Sequence, residues 1–185
     1  MRGGKRHAIA TAMTLLVRHP DTPPGAIHAV DGEIVRIDGG VIATFRAIGR
    51  IDELVVPDPA APERTDDLWR HTCFELFVQG EGSAYREFNL SPSTQWAAYE
   101  FDAHRAGMRE ALADVDIECS RDSSGLSLIA TVRSEIPNPA HVALTAVIEE
   151  RDGQLRYWAL AFAPGAPDFH AEATRAMFLD GVDGQ

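Results

Sequence analysis

Hydrophobic and polar positions alternate with a period of two through most of the chain, in segments of strand length separated by turn residues. In "LWRHTCFELFVQGEGSAYREFNLSPSTQWAAYEF", 68–101, three such segments follow one another. Strand side chains alternate between faces, so Phe74, Leu76 and Val78 share one side, and Cys73, Glu75 and Phe77 the other. In the next segment Phe88 and Leu90 continue the apolar side, leaving Tyr85, Glu87 and Asn89 beside Glu75. A five-residue loop, 79–83, then sets Glu75 opposite Glu87, Phe77 opposite Tyr85 and Cys73 opposite Asn89. A four-residue loop, 91–94, pairs Asn89 with Trp96 and Glu87 with Ala98, with Ala97, Tyr99 and Phe101 inward. This register puts Arg86 on the apolar face, where it must reach the rim or meet an acid.

Elsewhere "GLSLIATV" sends Leu126, Leu128, Ala130 and Val132 inward, and "VALTAVIEE" puts Val142, Leu144, Ala146 and Ile148 on one side. "RYWALAFA", 156–163, is apolar on both faces and predicts a central, doubly covered strand. Turn signals recur at "DTPPG", "DG" (31–32), "DGG" (38–40), "PDPAAP", "GEGS", "SPS", "DSSG", "PNP" and "DG" (152–153). Only "DAHRAGMREALADV", 102–115, hints at helix, and Gly107 reduces it to a loop with a helical turn. The expectation is an all-β fold, an antiparallel β-sandwich of jelly-roll type, with one domain over 13–180 and an N-terminal extension over 1–12.

Composition narrows the partners. With 17 basic and 28 acidic residues the net charge is −11, spread along the chain, which argues against nucleic acid. Cys73 and Cys119 lack metal-ligand spacing. No run reaches the roughly 18 apolar residues of a spanning helix. "MRGGKRH" followed by "AIATAMTLLV" has the basic and apolar parts of a secretory signal but no clean cleavage site. A cytoplasmic location is expected, with secretion as the alternative.

The face carrying Glu75, Glu87 and Asn89 raises the functional question. Two carboxylates directly across a strand pair repel, so an arginine, a cation, a shared proton or ligand hydroxyls must compensate. With Tyr85 and Trp96 beside them, these residues have the make-up of a sugar or polyol site: carboxylates and amides bind hydroxyls, and an aromatic plane covers the C–H face of a ring. The alternative is that they merely solvate the outer face of a half-exposed sheet.

Three stretches, "LWRHTCFELFV", "YREFNLSPSTQWAAYEFDAHRAGM" and "YWALAFAPGAPDFH", resemble the DOMON-like group related to family 9 carbohydrate-binding modules. Weaker matches extend the likeness over most of 13–179. The resemblance implies a β-sandwich that binds a ligand, sugar in some relatives and haem in others, in a pocket on one concave sheet. Trp69 resembles the tryptophan preceding the equivalent strand of the sugar-binding relatives, and Glu75 the acid in it. Trp69 and Trp158 are the candidate pair of clamping aromatics. Arg105 in "DAHRAGM" is placed to return over the carboxylates as counter-ion, and His170 in "PDFH" completes the candidate set. Asp66 and Asp67 lack calcium-loop spacing, so no metal and no cofactor is expected.

The expected function is therefore a non-catalytic module binding carbohydrate or a small sugar-like ligand. The alternatives are glycoside hydrolysis by Glu75 and Glu87, haem binding with ligands among His71, His104, Met108 and His170, and a protein-interaction module. If the ligand is a sugar phosphate, Arg70, Arg86 and Arg105 are the nearby donors.

Overall fold

The computed structural model describes residues 13–181; the expected extension 1–12 lies outside them. Twelve strands run through the described residues: β1 (Thr14–Arg18), β2 (Ile27–Ile37), β3 (Gly40–Gly49), β4 (Cys73–Gln79), β5 (Tyr85–Leu90), β6 (Trp96–Phe101), β7 (Arg109–Glu110), β8 (Asp114–Arg121), β9 (Gly125–Arg133), β10 (Ala140–Glu149), β11 (Leu155–Ala159) and β12 (Met177–Leu179). They pair antiparallel in the order β7-β6-β5-β4-β10-β11-β1-β2-β3-β9-β8, with β12 beside β10. Strand β1 joins the two halves. Its Thr14–Leu16 pair with β2 and its Val17 and Arg18 with β11, so the sheet curls into an antiparallel β-sandwich.

The core lies between the halves. Phe74, Leu76, Val78, Phe88 and Leu90 meet Phe45, Val41, Leu126 and Leu128 there, and the Phe45 and Phe74 rings stack with centroids 5.1 Å apart. The inward sets expected in β9 and β10 are all buried in it. Burial at this scale, roughly 1.5–3 kcal/mol per large apolar side chain, is what drives the two layers together.

Two turn readings part company. Asp38 and Gly39 close the β2–β3 hairpin, with Gly39 at φ 75°. Asp31 and Gly32, by contrast, lie inside β2, paired with Arg46 and Phe45. Gly32 is needed for close approach rather than for turning: a Cβ there would come within 2.9 Å of Leu144 Cδ1 across the core. Asp31 is held by an ion pair with Arg46 at 2.6 Å.

Register is the second correction. Five residues do close the β4–β5 loop, but they are 80–84, so Gln79 pairs with Tyr85, Phe77 with Glu87 and Glu75 with Asn89. The Gln79 side-chain amide donates to the carbonyls of Gly82 and Ala84, and Gly82 takes φ 61°, which ties the turn in this setting. Parity survives, so Glu75 and Glu87 still share a face. They are diagonal neighbours, not directly opposed.

The next hairpin also has five residues, 91–95, with Thr94 at φ 78°. Leu90 therefore pairs with Trp96, Asn89 with Ala97 and Glu87 with Tyr99. The odd loop reverses the expected face of β6: Trp96 and Ala98 turn to the main core, and Tyr99 and Phe101 join Glu87. The expected helical turn at 102–115 is instead a bend with Arg105 at φ 54°, followed by β7 and the start of β8. Arg86 does face the core side at its rim, where it donates to the Glu135 carbonyl and lies 3.5 Å from Glu100.

Candidate functional site

The outer face of β6-β5-β4-β10-β11 is concave and covered along its margins by three segments: 64–70, 102–110 and 162–175. Between them opens a cleft of about 830 Å³, within the usual range of small-ligand sites. Glu75 and Glu87 form its floor, Trp69, Tyr99, Phe101, Tyr157 and Phe169 supply aromatic wall, and Arg105, His170 and Met108 stand toward the 102–110 side.

Alternation positions the acids. Both belong to strands whose opposite face is committed to the core, so their side chains must face outward. There the covering segments bury them, leaving Glu75 3% and Glu87 5% exposed. Each carboxylate has one oxygen engaged: Thr145 Oγ1 donates to Glu75 Oε2 at 3.1 Å, and Asn89 Nδ2 to Glu87 Oε1 at 2.7 Å. Burial, and then the neighbouring Glu87 charge, push the Glu75 carboxyl well above its usual range. Burial likewise pushes Glu87 up to about 7, although the Asn89 hydrogen bond and the Arg105 charge pull it down.

His170 crosses the cleft wall toward Glu87, with Nε2 3.8 Å from Glu87 Oε2. Its Nδ1 is 2.8 Å from the Tyr85 hydroxyl, which also accepts the backbone N–H of Arg105 at 3.1 Å. In the tautomer whose Nδ1 accepts the Tyr85 hydroxyl proton, the imidazole proton is on Nε2, facing Glu87. Burial and then the nearby Arg105 charge depress His170 to about 4, so the ring is neutral. The Arg105 guanidinium donates to Asp168 Oδ1 at 2.9 Å, and His104 Nε2 lies 2.7 Å from Asp168 Oδ2. Burial alone would raise the Asp168 carboxyl; these two partners outweigh it and hold it low.

At the opposite margin Asp67, at φ 62°, starts a short turn, Leu68–Arg70, that lifts Trp69 to the cleft edge, 47% exposed. The Arg70 guanidinium sits 4.9 Å from the Trp69 ring centroid and pairs with Asp67 at 3.0 Å. Next to it Tyr99 donates its hydroxyl to Asp66, and Arg64 lies 3.0 Å from that same carboxylate and 5.3 Å from the Tyr99 ring centroid.

Of the residues expected in the site, Trp69, Glu75, Glu87, Arg105 and His170 line the cleft. Asn89 and Tyr85 lie directly behind it, fully buried, as supports of Glu87 and His170. Trp96 and Trp158 are on the other face of their strands: Trp96 packs against the main core and Trp158 is buried in it. Neither reaches the cleft. Tyr157, one residue earlier, provides the aromatic that Trp158 was expected to give. Tyr99 and Phe101 were misplaced by one loop residue. Asp168 and Phe169 immediately precede His170 in "PDFH", and that motif is the available signal for both. Arg105 meets Asp168 and no carboxylate of the floor. His71 is engaged with Glu149 at 2.8 Å, away from the other histidines named for haem. Among the described residues no group of three or more His, Cys, Asp or Glu side chains is arranged to hold a metal ion.

No protein-family model and no curated protein matches this chain. Among solved structures it is similar to a candidate carbohydrate-binding protein from Bacteroides uniformis, with a TM-score of 0.63 and 15% identity over 91% of this chain and 84% of that one. Two family 9 carbohydrate-binding module structures from Caldicellulosiruptor kristjanssonii also align. The cellotriose complex has a TM-score of 0.47 and 7% identity over 80% of this chain and 72% of that one. The glucose complex has a TM-score of 0.49 and 9% identity over 85% and 80%. The first likeness shows a shared β-sandwich fold.

Proposed function

We propose that the chain is a non-catalytic binding module whose ligand is a carbohydrate or a small sugar-like molecule seated in the cleft over β4, β5 and β6. One observation carries the reading: two almost fully buried carboxyl groups, each with one oxygen engaged by a neighbour and the other without a hydrogen bond, form the floor of an aromatic-walled cleft. Free carboxyl oxygens pair with ligand hydroxyls, and the exposed Trp69 ring offers a plane for the apolar face of a sugar. The Bacteroides uniformis protein of similar fold is described as a candidate carbohydrate-binding protein, the ligand class that this arrangement suits. The DOMON-like assignment rests on the sequence motifs.

The test is a screen of sugars, sugar phosphates and oligosaccharides by tryptophan fluorescence and thermal shift, repeated on Trp69→Ala and Glu75→Gln. A saturable response that is lost in the folded variants supports the module. Silence across the panel removes it.

One observation favours a second reading, glycoside hydrolysis. The Glu87 carboxyl, pushed up by burial to about 7, is in the range where a general acid works. Yet the same burial pushes Glu75 in the same direction, whereas an acid and a nucleophile call for environments that drive two carboxyls apart. The expected result with chromogenic glycosides is no turnover. Turnover abolished by Glu87→Gln would replace the binding reading with an enzymatic one.

A further inference from the structure

The cleft floor lacks a counter-charge. Among the described residues no lysine or arginine lies within ion-pairing distance of Glu75 or Glu87; the neutral His170 is 3.8 Å from Glu87, and Arg105 acts on the acids only at longer range while paired with Asp168. The arginines of the cleft are already engaged with acids. Arg64 pairs with Asp66 and Glu110, Arg105 with Asp168, and Arg109 with Glu100 and Asp102. Arg70 is paired with Asp67, and Arg86 is on the opposite face. An anionic ligand such as a sugar phosphate would thus find two buried acids beneath it and no uncommitted cation beside it.

A cationic ligand finds the converse. Tyr157 and Phe169, together with the Trp69 and Tyr99 rings that already carry Arg70 and Arg64 on one side, surround two buried carboxyls, and rings with carboxylates are the combination that holds ammonium groups. An ammonium group favours the ionised form of carboxyls that burial alone keeps protonated, so its binding releases their protons, and the free oxygen of each then accepts an N–H in a site shielded from water. A net charge of −11 on the whole chain adds long-range attraction for cations.

We infer that the ligand carries a protonated amine on its hydroxylated ring, so that the class of molecule this cleft selects is an amino sugar. The inference rests on the sugar-binding reading above and adds the charge. The ammonium group sits between the free oxygens of Glu75 and Glu87, supplying the counter-ion that the fold omits, and the ring packs on Trp69.

The experiment is titration calorimetry of the full chain at pH 7 with glucosamine, N-acetylglucosamine, glucose, glucuronic acid and choline, repeated on Glu87→Gln and Trp69→Ala. Glutamine keeps the shape of the floor and removes its titratable charge, and Trp69 is half-exposed, so both variants are expected to fold; circular dichroism checks this. Glucosamine should bind about tenfold or more tighter than glucose or N-acetylglucosamine. In Glu87→Gln glucosamine should lose far more affinity than glucose, so that the preference shrinks toward equality, whereas Trp69→Ala should weaken all sugars alike. If glucose or glucuronic acid binds as tightly as glucosamine, the amine inference falls and the sugar reading stands. A response to choline without any to sugars, or no response at all, overturns both.

Discussion

Asn89 and Glu87 stand two residues apart on the outer face of β5, and the Asn89 amide donates to Glu87 Oε1 at 2.7 Å with both side chains buried. The amide oxygen points the other way, 3.9 Å from the Cys73 thiol. Asn89 thereby orients the carboxyl from behind and leaves its second oxygen toward the cleft. Asn89→Ala should destabilise the fold by about 1–3 kcal/mol, the cost of a lost hydrogen bond to an acid in a buried site. It should also raise the Glu87 carboxyl further. Chemical denaturation reads the first effect, and carbon-detected NMR titration of the glutamate carboxyls the second.

Stability against pH should show two opposing slopes. Glu87 titrates at about 7 in the folded chain against an ordinary 4.5, so the native state binds the extra proton, and stability is lost as pH rises from 4.5 through 7. That loss amounts to about 3 kcal/mol. Glu75 is shifted the same way and adds to the decline. His170, depressed from 6.5 to about 4, acts in reverse: its contribution is present above 6.5 and is lost as pH falls toward 4. Between about pH 4.5 and 6.5 the His170 rise offsets one of the two glutamate slopes, so wild-type stability should fall shallowly there and more steeply just above it. Glu87→Gln should remove one falling slope and flatten the curve, and His170→Gln should steepen the fall, in denaturation series from pH 4 to 8.

Trp69 and Trp158 should separate binding from folding. Trp158 is buried in the core and Trp69 stands half-exposed at the cleft edge. Trp158→Ala should cost about 3–5 kcal/mol. Trp69→Ala should cost well under about 1 kcal/mol of stability yet weaken sugar binding by about tenfold, the worth of one stacked ring. Equal effects of the two substitutions on binding in folded protein would contradict the placement of the site.

Tyr85 links two groups through one oxygen, the Arg105 backbone and the His170 ring, while Arg175 covers its ring at 4.8 Å. Tyr85→Phe keeps the ring and removes both hydrogen bonds. It should cost about 1–2 kcal/mol and free His170 to reorient, lowering ligand affinity more than it changes the cleft's shape. Comparing the calorimetric affinity of Tyr85→Phe with that of His170→Gln checks this, because both should lose the same contact.

Alternation in β4 and β5 made Glu75, Glu87 and Asn89 legible as one polar face, since an apolar set one residue out of phase left them no other side to occupy. The same rule failed in β6. There Trp96 and Ala98 on one side and Ala97, Tyr99 and Phe101 on the other are all suited to burial, and the loop length alone chose between them. In β11 a strand covered on both faces gave Tyr157 and Trp158 equal claims on the cleft, and the pairing with β10 and β1 assigned Tyr157 to it.

By itself the sequence determined that this chain folds as an antiparallel β-sandwich with two acids and an amide on one face, because hydrophobic periodicity is a local property that each strand carries alone. Only the tertiary structure decided that these acids are buried, that the segment 162–175 covers them and brings Asp168 and His170 to Arg105 and Tyr85, and that no lysine or arginine among the described residues reaches them. Those are distances between residues more than sixty positions apart in the chain. They follow from how the curled sheet and its loops close over one another, and no local pattern encodes them.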